Sequence, residues 1–123
     1  MPRTRLIPVI LAGGFALLAG CSSASGLPTV TGSTSPAVQL DATEMRYEPN
    51  RVAVAAGDVA VTLHNVGIVI HDLRIEGAPQ LMVSATPGAT ATGTWSLKKG
   101  RYRIYCSIAG HRAAGMEGVL EVR

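Results

Sequence analysis

Three sulfur and imidazole side chains lie close together near the end of the chain. In the stretch YCSIAGHRAAGM, Cys106, His111 and Met116 follow one another at intervals of five residues. A thiolate, an imidazole and a thioether are soft or borderline metal ligands that suit copper. Gly110 and Gly115 permit the tight backbone that would turn all three side chains towards one ion. The spacing therefore indicates most of a copper site.

A second imidazole would complete the ligand set of a blue copper centre, which is two His, one Cys and a weak axial Met. It should come from a different strand, because the ion would then be fixed between two chain segments. His71 meets this requirement: it follows the turn signal Asn65-Val66-Gly67 and has Ile70 and Leu73 as apolar neighbours. His64 precedes the same turn and is expected at the surface or rim.

Each of these residues also has an ordinary structural interpretation when taken alone. Cys106 could be a small buried apolar residue, Met116 could fill a gap in the core, and His111 could be an exposed loop residue. Their joint occurrence at this spacing, with His71 upstream, favours the metal site.

Residues 37–123 contain repeated strand signals and no convincing helix. Short runs rich in Val, Thr, Ile and Tyr are bounded by Gly, Asn, Asp or Pro, and they occupy residues 52–54, 59–63, 69–75, 90–97, 101–105 and 119–122. This pattern predicts an all-β fold, a small β-sandwich of about seven or eight strands. Trp95 and Tyr47 are expected to pack in its core or at its edge. Residues 79–90 could form a short helix or an irregular loop.

The first 21 residues have the pattern of an export signal. Arg3 and Arg5 precede an apolar run at residues 6–18, which is shorter than the ~20 residues that a membrane-spanning helix needs. The run ends in Leu-Ala-Gly-Cys, which resembles a bacterial lipobox. We therefore predict a lipoprotein signal peptide at residues 1–20 and a lipidated Cys21 as the first residue of the mature chain. An ordinary secreted chain with a Cys near its cleavage site is the alternative.

Residues 21–36 are dominated by Ser, Thr, Gly and Pro and are predicted to be a flexible linker. Such a linker has a reach of roughly 20 Å, and residues 37–123 would form the domain that it tethers. Its last few residues could instead be a loose strand of the fold. The expected location is outside the cytoplasm, in the periplasm or at the cell surface, anchored to a bacterial membrane by lipid.

Charge and cysteine content narrow the possible functions further. Eleven basic residues less Arg3 and Arg5 leave nine against eight acidic residues, a net charge of +1. Because this net charge is close to neutral, nucleic-acid binding is not expected. Exported proteins usually pair their cysteines. With Cys21 lipidated, Cys106 would be left as a single thiol, which metal binding explains.

The patterns NVGIVIHDLRI and YCSIAGHRAAGMEGVLEV resemble those of the cupredoxins, the plastocyanin- and azurin-like blue copper proteins. The segment MRYEPNRVAVAAGDVAVTLHNVG is similar to the first strands of that family, so the resemblance extends over residues 38–123. It implies a Greek-key sandwich with one copper ion near one end. It also implies His71 and His111 as imidazole ligands, Cys106 as the thiolate and Met116 as the long axial ligand.

The chain departs from the family pattern after the first ligand histidine, where the family usually has Asn and this sequence has Asp72. In the family this side chain ties the two ligand segments together, and Ser107 is its expected partner. We therefore predict a hydrogen bond between Asp72 and Ser107 that orients the ligands. A carboxylate near the thiolate would lower the reduction potential, because it favours the more positive Cu(II).

Copper held in this way changes oxidation state with little ligand movement, so we expect a one-electron carrier. Copper enzymes are not expected. Three histidines cannot build a trinuclear cluster, Tyr105 occupies the position where a copper nitrite reductase has His, and Cys106 is the single loop cysteine where a binuclear centre needs two. A copper carrier or storage lipoprotein that does not cycle electrons is the alternative, and a cupredoxin-like domain without metal is a third interpretation.

The resemblance also implies a docking surface for redox partners. In the family, the edge of the second ligand histidine emerges through an apolar patch where redox proteins dock. Arg112 would be a rim charge that steers acidic partners. The small apolar residues that would surround His111 in this way are Ile108, Ala109, Ala113 and Ala114. We expect such redox partners, membrane contact through the lipid at Cys21, and a monomer.

Overall fold

The computed structural model describes residues 35–123. The predicted signal peptide, the lipidation site at Cys21 and the linker up to residue 34 lie outside the described residues. The described chain folds into nine strands in two sheets, so the predicted all-β sandwich is confirmed.

The strands run in chain order through the whole described domain. Their bounds are β1 Ala37–Thr43, β2 Arg46–Glu48, β3 Arg51–Val54, β4 Gly57–Asn65, β5 His71–Ile75, β6 Ala78–Ala85, β7 Thr90–Leu97, β8 Gly100–Tyr105 and β9 Glu117–Val122.

One sheet has the strand order β2-β1-β4-β7 and the other has the order β3-β9-β8-β5-β6. The chain crosses repeatedly between the sheets, as in a Greek key. The pairs β1/β4 and β3/β9 are parallel, while β8 and β9 are antiparallel neighbours. The ladder of β8 and β9 closes at the pair Tyr105↔Glu117, so the connecting segment 106–116 emerges at one end of the sandwich.

The core lies between the two sheets and follows the alternation that sheet geometry imposes. In β4, Val59, Val61 and Leu63 point inwards and are fully buried, while the residues between them are more exposed. Trp95 and Tyr47 are buried as well, as predicted.

β5 departs from this alternation: four of its five residues are buried, among them His71 and Asp72. It is an inner strand of its sheet, flanked by β8 and β6. Two successive polar residues are therefore removed from solvent at the start of this strand. Such burial is stable only when each polar group finds a partner.

Two expectations for secondary structure need correction. Residues 78–85 form strand β6 and pair with β5 over four successive registers from His71↔Ala85, so neither a helix nor an irregular loop is present there. The sequence signal was weak because β6 is largely solvent-exposed and only Val83 and Ala85 are buried. The run at residues 69–75 also begins later than expected: β5 starts at His71, and Val69 and Ile70 lie exposed in the preceding loop.

Within residues 35–123, no helix is both long and apolar enough to cross a membrane.

Candidate metal centre

Three of the predicted ligands lie on the connection between β8 and β9. Cys106 directly follows β8, Met116 directly precedes β9, and His111 lies between them. All three are buried, with exposed fractions of 0, 0 and 7%. Because β8 and β9 are antiparallel neighbours, Cys106 and Met116 lie opposite each other, and the amide of Cys106 donates to the carbonyl of Met116 at 3.0 Å.

Local hydrogen bonds give this loop its shape. The amide of His111 donates to the carbonyl of Ile108 at 3.0 Å, and the amide of Met116 donates to the carbonyl of His111 at 3.1 Å. Gly110 and Gly115 have φ values of 81° and 109°, a region that favours glycine. The tight backbone that these glycines were predicted to permit is present.

The fourth predicted ligand arrives from another part of the chain. His71 is the first residue of β5 and is completely buried. Its ring centroid lies 5.1 Å from that of His111. Burial, together with the neighbouring His111, lowers the pKa of His71. The neutral imidazole that results has a lone pair available for a metal.

The donor atoms of His71, Cys106 and His111 all lie within 4.8 Å of one another, and all three residues are buried. The Cys106 sulfur is 3.6 Å from Nδ1 of His111. Neither ring nitrogen of His71 has a hydrogen-bond partner, although both are buried. Unpaired buried polar atoms are rare in folded proteins, and a metal ion between these donors would satisfy one of them. The cluster therefore fits a copper ion.

The two ligand segments are joined by Asp72 and Ser107. Oδ1 of Asp72 accepts from the Ser107 amide at 2.6 Å, and Oδ2 accepts from the Ser107 hydroxyl at 2.5 Å. The predicted hydrogen bond is therefore present, and the backbone adds a second one. Oδ2 also accepts from Nε of Arg74 at 3.0 Å. Burial acts to raise the pKa of Asp72, but the hydrogen bonds from Ser107 and Arg74 outweigh it and lower the pKa.

Asp72 also contacts the cysteine and the opposite sheet through its backbone. Its amide lies 3.5 Å from the Cys106 sulfur and donates to it. Its carbonyl accepts from the hydroxyl of Tyr47 at 2.5 Å. Burial raises the pKa of Cys106 and that of Tyr47, so the thiol is protonated until a metal replaces its proton.

The loop before His71 is shaped by Asn65, which is fully buried at the end of β4. Its side-chain amide donates to the carbonyls of Val69 and Ala85, both at 2.8 Å, and its Oδ1 accepts from the Gly67 amide at 2.9 Å. Both N–H groups of the side-chain amide and its oxygen therefore have partners. The sequence marked Asn65 only as part of a turn; the bonds with Gly67 and Val69 are local, and the bond to Ala85 is a property of the tertiary structure.

Arg112, expected as a rim charge that steers acidic partners, forms ion pairs within the domain. Its guanidinium donates to Glu76 at 2.6 Å and to Glu117 at 3.2 Å, and its Cζ lies 4.4 Å from the centroid of the Tyr105 ring. The positive charge is thus largely compensated by the protein itself. His64 is half-exposed at the surface and lies 3.5 Å from Asp41, away from the ligand cluster.

A sequence model of copper-binding proteins of the plastocyanin/azurin family matches residues 34–123. The chain belongs to this family. Its copper-binding character and the sandwich described above agree with the cupredoxin resemblance of the sequence, and copper is the metal that the cluster takes. No curated protein sequence matches the chain significantly.

Solved structures of auracyanins have a similar fold. The reduced auracyanin of the photosynthetic bacterium Roseiflexus castenholzii matches with a TM-score of 0.62 and 20% identity, over 72% of this chain and 98% of that one. Auracyanin B matches with a TM-score of 0.60 and 16% identity, over 75% and 93% of the two chains. Auracyanin A, a blue copper protein from the green thermophilic photosynthetic bacterium Chloroflexus aurantiacus, matches with a TM-score of 0.57 and 15% identity, over 71% and 99%.

One acidic residue near the cluster was missed by sequence reasoning. Glu44, in the turn between β1 and β2, has its Oε1 3.8 Å from Nε2 of His71. The two residues are far apart in the sequence, and no spacing or motif connects them. Only the pairing of β1 with β4 brings the turn to this end of the sandwich.

Proposed function

We propose that this protein is a one-electron carrier with a mononuclear blue copper site, in which His71, Cys106 and His111 are the strong ligands and Met116 is the weak axial one. The observation that carries the proposal is a buried thiol placed with two buried imidazoles at the end of the sandwich. This donor set matches the blue-copper type, and the copper that it holds supplies one-electron redox chemistry.

The surroundings of the cluster favour electron transfer over catalysis. All four proposed ligands are at most 7% exposed. Two clefts, of about 450 and 570 Å³, lie elsewhere and are lined by residues such as Arg51, Arg101 and Pro49. A substrate would need access to the metal, whereas an electron needs only a short path to the surface. We therefore propose that the protein is not an enzyme.

We propose that the electron passes through the end of the sandwich that carries His111. Ala109, Gly110, Ala113 and Ala114 are exposed next to it, and the loop before His71 adds apolar surface, with Ile68 82% exposed. Redox partners that dock on such a surface form small, weak complexes. Because Arg112 is paired with two glutamates, we expect the docking rate to depend only weakly on salt.

The test of the metal site is a visible spectrum. The full chain carrying Cys21→Ser, which leaves Cys106 as the one thiol, is loaded with Cu(II) and compared with the same chain carrying Cys106→Ala. We expect an intense blue thiolate-to-copper band that disappears on reduction and is absent from the Cys106→Ala chain. Bound copper with no intense band would contradict the proposal and indicate a copper carrier instead.

We further propose that the protein works outside the cytoplasm, attached to a bacterial membrane through lipid on Cys21. The support is the sequence of residues 1–21. Mass spectrometry of the mature protein should show residue 21 as the first residue, carrying a diacylglycerol. Cys21→Ser should release the protein from the membrane fraction. A membrane-bound Cys21→Ser protein would contradict the lipid anchor.

A further inference from the structure

A copper ion can satisfy only one of the two buried ring nitrogens of His71. Both of its ring nitrogens are buried, and neither has a hydrogen-bond partner. A single metal ion can bind only one of them, and the other must carry the proton of the neutral ring. An N–H group that is buried without an acceptor costs about 1–3 kcal/mol. A hydrogen-bond acceptor for that group is therefore expected nearby.

Glu44 is the acidic residue that lies near Nε2 of His71. Its Oε1 lies 3.8 Å from Nε2 of His71, which is longer than a hydrogen bond. The side chain is 45% exposed, so a small rotation can close the gap. Asp72, the other carboxylate near the cluster, is already occupied by Ser107 and Arg74.

The loop before His71 is built to receive this carboxylate. The amide of Ile68 donates to Oε1 of Glu44 at 2.6 Å, which ties the β1–β2 turn to the loop. Gly67 leaves the necessary space, since a Cβ atom at that position would clash with the same oxygen. The carboxylate is thus held close to the imidazole.

We propose that Glu44 is a positioning residue that accepts the Nε2–H of His71, leaves Nδ1 as the copper ligand, and adds a negative charge to the site. The proposal rests on the proposed role of His71 as a ligand. Carboxylates that accept from a metal-binding histidine fix its tautomer and raise its basicity. In this chain the carboxylate comes from a turn in the opposite sheet, so the outer partner and the ligand belong to different layers of the sandwich.

The negative charge of Glu44 should lower the reduction potential of the copper. A negative group near the metal stabilises Cu(II) more than Cu(I), because Cu(II) carries the larger positive charge. Removing the charge of Glu44 should therefore raise the reduction potential. We expect the ratio of Cu(II) to Cu(I) affinity to fall by about tenfold, which corresponds to about 59 mV for a one-electron couple.

The first measurement uses the metal-free protein, so that it does not depend on the blue copper site. Nitrogen-15 NMR of the full chain carrying Cys21→Ser should show His71 protonated at Nε2. In Glu44→Ala the ring should populate both tautomers, because its acceptor is gone. An unchanged tautomer in Glu44→Ala would overturn the pairing. Thermal unfolding of each metal-free chain checks that the variants are folded.

The second measurement compares reduction potentials of the copper-loaded protein. Glu44→Gln keeps the size of the side chain and an oxygen acceptor for Ile68, and removes only the charge. Glu48→Gln is the matched control, since Glu48 is an exposed acid whose partner is Arg46. We expect the tenfold change for Glu44→Gln and less than twofold for Glu48→Gln. Equal potentials in the two variants would overturn the electrostatic role of Glu44 while leaving the electron carrier intact.

The two proposals fail in different ways. If the parent chain binds copper without a blue band, the proposed function fails, and the tautomer of His71 in the metal-free protein still decides whether Glu44 is its partner. If the blue band is present and Glu44→Gln behaves like Glu48→Gln, only the inference on Glu44 fails.

Discussion

The loop 106–116 and the segment 65–72 hold the copper site from two sides and are built in different ways. The loop brings Cys106, His111 and Met116 together through backbone hydrogen bonds that stay within the loop. The segment brings only His71, and it is held by the side chains of Glu44 and Tyr47 from the opposite sheet and by the bond from its own Asn65 to the carbonyl of Ala85. One side of the site is local in sequence and the other is assembled from distant parts of the chain.

Because of this difference, we expect substitutions on the two sides of the site to affect stability unequally. Loop closure over a few residues costs little entropy and reforms readily, so the loop side should tolerate loss of a single side-chain contact. The His71 side depends on buried polar side chains, and one of them, Asn65, satisfies three backbone groups at once. Removing one of them leaves buried donors or acceptors without partners, which is the costly case.

Asn65→Ala should have the largest effect, because it removes three hydrogen bonds around the loop that precedes His71. We expect the free energy of unfolding of the metal-free protein to fall by about 3 kcal/mol. Denaturant unfolding measures it. Asn50→Ala, at an exposed position, is the control and should change stability by about 0.5 kcal/mol or less. Equal losses in the two variants would mean that the His71 side has no special dependence on buried polar groups.

Asp72→Asn should have the second-largest effect on stability, because the Asp72 carboxylate connects the two sides of the site. The amide that replaces it can no longer accept from both Ser107 and Arg74 at the Oδ2 position. A loss of about 2 kcal/mol in the free energy of unfolding is expected, since these are hydrogen bonds to a charged group. The reduction potential should rise, because a negative charge near Cys106 is lost.

Ser107→Ala is the matched test of that interpretation. It removes one of the hydrogen bonds to Asp72 and leaves the charge in place, so stability should fall less and the potential should stay close to that of the parent. A potential that rises equally in Ser107→Ala and Asp72→Asn would show that geometry, rather than charge, controls it.

Arg112→Ala tests the loop side and should have a smaller effect on stability. It removes ion pairs to Glu76 and Glu117 that are partly exposed, and such pairs contribute little. Hydrogen exchange should become faster at the amides of Gly115 and Met116, while the amides of Gly67 and Ile68 keep their protection. Arg46→Ala, which breaks the more exposed pair with Glu48, is the control and should leave both sets unchanged. Faster exchange at Gly67 and Ile68 in Arg112→Ala would show that the two sides are not independent.

Gly67→Ala should have the smallest effect on stability, because its new Cβ meets only the end of the flexible Glu44 side chain. Displacing that side chain should raise the reduction potential in the same direction as Glu44→Gln. Voltammetry of Gly67→Ala, Glu44→Ala and the double variant checks this. The double variant should have the potential of Glu44→Ala alone, and a further rise would place the effect of Gly67 elsewhere.

The loop 106–116 could be recognised from the sequence because its three proposed ligands lie within eleven residues. Cys106, His111 and Met116 are placed by their spacing and by two glycines, and the strands on either side need only be neighbours. The Asp72–Ser107 hydrogen bond was also predictable, since each residue directly follows a proposed ligand. Strand β6 was missed because it exposes most of its residues, so the alternation of a half-buried strand is weak there.

The contact of Glu44 with Ile68, the bond from Asn65 to Ala85 and the ion pair of Arg112 with Glu76 could not be read in this way. Each depends on which strand lies beside which, and the parallel pairing of β1 with β4 is a contact between segments with no local signal. Arg112 was expected to be a rim charge that steers acidic partners, and the sequence did not show that Glu76 and Glu117 pair with it.

The sequence by itself determined the all-β class, the metal-binding loop and the kind of metal, because strand periodicity and ligand spacing are properties of short segments. Only the tertiary structure decided which acids approach the imidazole of His71 and which charges near the site remain uncompensated. The physical reason is that a hydrogen bond or an ion pair acts over a few ångströms in space, and the distance along the chain between its partners is set by the packing of the two sheets.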